Sequence, residues 1–273
     1  MSLLHDTQNS PPERQIAIDQ VGVTDLRYPI YVLDRQQEKQ QTVAMLTASV
    51  SLPRHFKGTH MSRFIEVLND HRGEVTMRTL PKILGDLKVR LEADSARLEL
   101  HFPYFLERSA PVSGAKGLMD YDCWFIGEVN ASTWDFMMKI RVPVSSLCPC
   151  SKEISDYGAH NQRGHIDIEV RTGRKENGEL SFVWIEELID IAEQSASGPV
   201  YALLKRADER HVTMHAYDNP VFVEDMVRNV AVHLLEDTRI IWFRVRAENH
   251  ESIHNHNAYA LIERDKRKDG PKT

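Results

Sequence analysis

The chain has 273 residues, with 34 Lys and Arg against 40 Asp and Glu and a formal net charge of −6. That length permits one large domain or two of ordinary size, since domains usually run about 100–150 residues. A 41% hydrophobic fraction with 27% charged residues excludes disorder, collagen and fibre. No run of about 18 apolar residues occurs, so no membrane span is expected, and mild acidity argues against a nucleic-acid partner.

Residues 1–25 hold no sustained period and read as a flexible arm, with Pro11-Pro12 among scattered polar residues. Residues 42–52 read as a strand. Met61, Phe64, Ile65 and Leu68 fall at helical spacing, as do Leu80, Ile83, Leu84, Leu87 and Leu91, with Pro81 suited to a first turn. Ala96, Leu98, Leu100 and Phe102 alternate with polar neighbours, which predicts a half-buried strand. Residues 120–130 and 133–145 predict a hairpin around Asn130-Ala131-Ser132.

The order then repeats. Residues 162–172 alternate, with His165, Asp167, Glu169 and Arg171 on one face and Ile166, Ile168 and Val170 on the other. Trp184–Gln194 and Phe222–Leu235 predict helices, and 239–247 and 257–264 predict strands. The pattern implies an α+β protein of two modules, each an antiparallel sheet with two helices on one face. The modules are expected at 26–150 and 151–265, with 266–273 a charged, solvated tail.

Three cysteines, Cys123, Cys148 and Cys150, cannot make a disulfide framework in so long a chain. The start, Met1-Ser2-Leu3-Leu4-His5-Asp6, lacks the cationic and apolar stretches of a secretory signal. A reducing, cytoplasmic location is expected.

Four clusters hold possible chemistry. In Leu147-Cys148-Pro149-Cys150-Ser151-Lys152, one thiolate could bind a borderline metal and the other act as acid, base or nucleophile. The alternative is two small residues beside a turn. His160 follows a turn and opens a strand, from where it could reach back to a cysteine; His165 reads as an ordinary strand residue. Glu251, His254 and their neighbours crowd histidines and carboxylates at a strand end, as a proton shuttle would. Arg54, His55, Lys57 and His60 gather donors at a helix start, as a phosphate site would. Glu209 and Glu224, read locally, are structural, one in a charged turn and the other at a helix start favoured by the dipole.

Arg54-His55-Phe56-Lys57-Gly58-Thr59-His60-Met61-Ser62-Arg63-Phe64, Leu147–Lys152 and Glu251-Ser252-Ile253-His254-Asn255-His256 together resemble GTP cyclohydrolase of type IB, the prokaryotic form. The resemblance covers roughly residues 26–265. It implies the tunnelling fold, with two modules per chain, and a homotetramer whose active sites lie at subunit interfaces. It implies that GTP and water give 7,8-dihydroneopterin triphosphate and formate, the first step toward tetrahydrofolate, with metal-activated water attacking guanine C8. One divalent metal per site, Zn, Mn or Fe, is implied, with Cys148, His160 and Glu209 as its ligands. Cys150, Glu251 and His254 match catalytic positions, and Glu224 matches the guanine anchor. Arg54, His55, Lys57 and His60 are assigned to the triphosphate partly on their chemistry. No nucleic-acid or membrane partner is implied. A nitrile reductase of the queuosine pathway shares the fold and uses NADPH, but its lysine-bearing Glu-Ser-Lys motif is replaced here by Glu251-Ser252-Ile253. A non-catalytic metal-binding protein would leave the cationic cluster at 54–63 unexplained.

Overall fold

The computed structural model describes residues 8, 10–35, 38–71, 76, 78–130 and 133–269. Internal packing groups the chain into two compact units, one holding the residues up to Phe102 with Trp124–Met137, the other Pro103–Cys123 with Met138 onward.

In the first unit, β1 (Ile18–Asp34) and β2 (Glu38–Leu52) form a long antiparallel pair, from Ile18 opposite Leu52 to Asp34 opposite Glu38. The register shifts between Val23 and Leu26, where Asp25 takes a positive φ of 58°. Part of the stretch expected as an arm is thus strand, held by its ladder to β2. The sheet continues through the parts of β3 (Ala96–Ser109), β4 (Lys116–Val129) and β5 (Trp134–Leu147) that belong to this unit. Of the expected hairpin turn, Ala131 and Ser132 lie outside the described residues.

Helix α1 (Met61–Asp70) buries Phe64, Leu68 and the unexpected Val67 and leaves the expected Met61 and Ile65 exposed, its buried face being rotated toward Val67, whereas α2 (Leu80–Leu91) buries the stripe its spacing predicts, Leu80, Ile83, Leu84, Leu87 and Leu91. Each such side chain contributes about 1.5–3 kcal/mol of burial. Pro81 lies in the first turn of α2, and Glu92 closes that helix in the left-handed region, φ 54°. A Cβ at Gly127 would come 3.0 Å from the Leu84 side chain, so the bare backbone of β4 lets α2 pack closely there.

The second unit takes the remaining parts of β3 to β5 and adds α3 (Pro149–Ile154), β6 (Asn161–Thr172), α4 (Ile185–Gln194), β7 (Gly198–Pro199), α5 (Arg206–Asp218), α6 (Val223–Glu236), β8 (Ile240–Asn249), β9 (Ala258–Asp265) and α7 (Lys266–Asp269). Its strands run β5-β6-β8-β9, all antiparallel, with β7 on β5. One face is apolar: Ile140 and Val142, Ile166 and Ile168, and Val245 and Ala247 are buried, as are Leu188 and Ile189 of α4 and Met226, Val230 and Leu234 of α6. The opposite face is charged. Arg141 grips Asp167 through Nε at 2.7 Å and Nη2 at 3.0 Å. The tail expected to be solvated begins with Lys266, whose Nζ donates to the carbonyls of Leu234, Leu235 and Asp237 at the end of α6. Residues 270–273 lie outside the described residues. No helix among those described is long and apolar enough to cross a membrane.

Strands β3, β4 and β5 are each 14 residues long, and each gives one part to each unit.

Register decides where the chemistry gathers. Leu147, ending β5, pairs with Asn161, opening β6. Asn249, ending β8, pairs with Gly164 of β6 and with Ala258, opening β9. Antiparallel pairing therefore brings the segments after β5, before β6, after β8 and before β9 to one end of this sheet.

Candidate active site

A cavity of about 350 Å³ opens at that end of the second unit's sheet. Cys148 lines it from the N-cap of α3, in extended conformation, with Pro149 supplying the fixed φ that starts the helix. The Cys148 amide donates to the His160 carbonyl at 3.1 Å. Ser151 completes the clamp: its Oγ accepts from the His160 amide at 3.1 Å and donates to the Cys148 carbonyl at 3.2 Å. Cys148 is half-buried and Cys150 exposed, and both line the cavity. Cys123 is a different case. Burial pushes its thiol well up, with Asp122 and Glu186 adding to the effect, so it is an inert core residue.

His160 lines the cavity between the motifs. Its Nδ1 lies 2.9 Å from Gln162 Oε1 and 3.3 Å from Ser252 Oγ, which ties the β8–β9 connection to β6. That connection brings Glu251, His254 and His256 to the cavity wall. The rings of His254 and His256 stack with centroids 5.1 Å apart. Glu224 lines another side, as the second residue of α6, where the open helix amides favour a carboxylate. One cavity thus collects six residues expected from sequence: Cys148, Cys150, His160, Glu224, Glu251 and His254.

Five others lie elsewhere. Glu209 is exposed in the first turn of α5, its amide donating to the Lys205 carbonyl and its own carbonyl accepting from Thr213, and it does not line the cavity. Arg54, His55 and Lys57 are exposed in the first unit, before α1, and His60 is that helix's half-buried N-cap residue. None of these four lines the cavity. Their turn is held by Gln8, whose carbonyl accepts from the Lys57 and Gly58 amides and whose Nε2 donates to the Thr59 carbonyl.

Among the described residues, no group of three His, Cys, Asp or Glu side chains converges as a metal cluster. The donor types at the cavity nonetheless suit a divalent metal: the Cys148 and Cys150 thiols and the His160 imidazole all line it, and such sulfur and nitrogen donors accept zinc and its neighbours. Sequence reasoning missed Ser146, Gln162 and Asn249, which line the same cavity and are buried. Their signal was available: polar residues at the sheet-end positions of buried strands, where an apolar residue would otherwise stand.

Residues 4–260 match the family described as "Type I GTP cyclohydrolase folE2". The chain belongs to the type I GTP cyclohydrolase folE2 family. It is 54% identical over 263 residues to the GTP cyclohydrolase FolE2 of Geobacter sulfurreducens, covering 96% of this chain and 99% of that one. It is 52% identical over 263 residues to the FolE2 of Nitrosococcus oceani, covering 96% of each. These names stop at type I and FolE2, where the motifs suggested type IB. Among solved structures, the chain resembles a Bacillus sp. TB-90 urate oxidase mutant, with TM-score 0.54, 11% identity and coverage of 92% of this chain and 99% of the other. The urate oxidase of Bacillus subtilis 168 matches with TM-score 0.52, 9% identity and coverage of 91% and 99%. At that identity the likeness concerns the fold alone, and the fold is the α+β tunnelling fold.

Proposed function

We propose that this member of the family is a metal-dependent GTP cyclohydrolase I, converting GTP and water to 7,8-dihydroneopterin triphosphate and formate at the start of tetrahydrofolate biosynthesis. The observation that carries this reading is the single cavity lined by Cys148, Cys150, His160, Glu224, Glu251 and His254. The type IB designation belongs to the proposal and rests on the three motifs.

Each residue has a task its chemistry can perform. The Glu224 carboxylate accepts from the guanine ring N–H and from the exocyclic amine, a two-point contact that adenine cannot make. Cys148 and His160 are the metal ligands at the cavity, with Glu209 the third by the motif. When bound, the metal supplies Lewis-acid activation of water. Glu251 and His254 carry protons to and from the nitrogens as the five-membered ring opens, formate leaves and the sugar rearranges. Cys150 stands beside the reacting centre as a second proton-transfer group. Arg54, His55, Lys57 and His60 hold the triphosphate. We further propose a cytoplasmic homotetramer with sites at subunit interfaces; residues absent from one chain's cavity wall, Glu209 and the cationic four, would then be supplied by assembly.

The test is pterin fluorescence after oxidation, on chelator-stripped protein given GTP with and without manganese, iron or zinc. The expected result is fluorescence that requires metal and disappears in Cys148→Ala. No fluorescence with any of the three metals overturns the assignment.

A further inference from the structure

The cavity wall contains a buried polar relay that the roles above do not use. Ser146, fully buried near the end of β5, donates its hydroxyl proton to the Val221 carbonyl at 3.3 Å. Its Oγ accepts from Asn249 Nδ2 at 3.1 Å, and Asn249 is itself only 3% exposed. The Val221 amide returns to the Leu147 carbonyl at 3.1 Å, and the Leu147 amide is held in turn by Ser197 Oγ at 3.0 Å. Val221 is therefore fastened at both its amide and its carbonyl to the end of β5. Glu224 follows three residues later, in the first turn of α6.

The relay has a direction. A serine hydroxyl has one proton, and here it goes to Val221; Ser146 Oγ can then only accept, so the Asn249 amide must present nitrogen. That orientation leaves Asn249 Oδ1 buried with no hydrogen-bond partner among the described residues. Its neighbour Gly164 adds to the constraint, because a Cβ there would lie 2.7 Å from that oxygen.

We infer that Ser146 and Asn249 are positioning residues for base selection: they fix the Val221–Glu224 turn and so hold the Glu224 carboxylate where it tests for the exocyclic amine. The inference rests on the reading of Glu224 as the guanine anchor. Removing Ser146 takes away the tie to the Val221 carbonyl, and removing Asn249 takes away the support of Ser146; the turn is then held less firmly and the anchor binds guanine with looser geometry. A charge-assisted hydrogen bond so loosened corresponds to about a tenfold loss of affinity.

The experiment measures binding of 7-deaza-GTP, which lacks the nitrogen needed for ring opening, and of 7-deaza-ITP, which also lacks the exocyclic amine. Calorimetry on metal-loaded full-length protein gives both dissociation constants for wild type, Ser146→Ala, Asn249→Ala, Glu224→Ala and the Ser146→Ala/Glu224→Ala double variant. Thermal midpoints are recorded alongside. The expected result is that Glu224→Ala removes the preference for the guanine analogue, and Ser146→Ala and Asn249→Ala each reduce it about tenfold. The double variant should discriminate no worse than Glu224→Ala, since the relay acts through that residue. If Glu224→Ala removes the preference while both relay variants keep it and lose only thermal stability, the relay is structural and the inference is overturned, the anchor reading standing. If wild type shows no preference, or Glu224→Ala retains it, the anchor reading falls and the inference with it. Should Ser146→Ala fail to fold, Asn249→Ala decides the matter from the other end of the relay.

Discussion

His160 Nδ1 lies 2.9 Å from Gln162 Oε1, a neighbour two residues along the same sheet end. An amide oxygen only accepts, so this contact puts the ring proton on Nδ1 and leaves the Nε2 lone pair for a metal. Outer partners of this kind commonly tune metal affinity by about 10–100-fold. Gln162→Leu should therefore weaken zinc or manganese binding by about that factor while the protein stays folded. Competition with a fluorescent chelator measures it. Unchanged affinity would remove Gln162 from any role at the metal.

How much of this was legible in the sequence depended on whether an apolar stripe accompanied the chemistry. Helices α2, α4 and α6 bury the stripes that their spacing predicts, and α1 is a helix as its spacing predicts but with Val67 buried in place of Met61 and Ile65. Helix α5 looks like a charged turn in the sequence because its only buried residues are Asp208 and Ala216, which leave no stripe to see. It starts on a polar device instead, the Asp208 carboxylate accepting from the Lys205 amide. Strand β1 as a whole is not among the expected elements; the irregularity at Asp25 shifts the phase of its alternation and hides the strand. For the site, the three motifs gave the residue types, but Asn249 and Ser146 became visible only once register placed their strand ends together.

Two glycines make a paired prediction. At Gly164 a Cβ would meet the Glu248 carbonyl oxygen at 2.6 Å and Asn249 Oδ1 at 2.7 Å. The carbonyl belongs to the neighbouring strand and cannot rotate aside, so Gly164→Ala must part β6 from β8 at the cavity. A loss of about 1–3 kcal/mol is expected, with turnover falling with it. Gly85, inside α2, has nothing within 4 Å of an added Cβ. Gly85→Ala should stabilise the protein by about 0.5–1 kcal/mol and leave turnover intact. Denaturant titration of both variants checks the pair, and a stabilising Gly164→Ala would contradict the packing at the sheet end.

Arg108 holds a polar cluster inside the second unit. Its Nη2 donates to Glu193 Oε2 at 2.8 Å and to Asp190 Oδ1 at 2.9 Å, and the buried Tyr121 hydroxyl donates to Glu193 Oε1 at 2.8 Å. Burial pushes the Glu193 carboxyl up, and Arg108 pulls it back. Arg108→Met strands that carboxylate, so a loss on the order of 3 kcal/mol is expected. The double variant Arg108→Met/Glu193→Gln should recover much of it, because the buried charge is gone. Failure to recover would show that packing, rather than charge, makes Arg108 necessary.

Asp208 carries the last prediction. Its Oδ1 accepts from the Val112 and Ser113 amides, both at 2.8 Å, and its Oδ2 from Ser113 Oγ at 2.6 Å and the Lys205 amide at 2.8 Å. Burial alone would raise the pKa, but the bonds from Ser113, Lys205 and Val112 win and hold the carboxyl well below the usual range. The sign follows from linkage. A carboxyl depressed in the native state stabilises the fold fully above its unfolded value, about 3.9 for Asp, and loses that stabilisation as pH falls toward the native value. Asp208→Asn cannot titrate and lacks one of the acceptors. It should therefore melt lower than wild type at neutral pH, with the gap closing as the pH is taken below the ordinary carboxylate range. Thermal midpoints of both proteins measured from neutral pH down to the lowest pH at which the fold survives test this. A gap that widened on acidification would mean the Asp208 contacts do not depend on its charge.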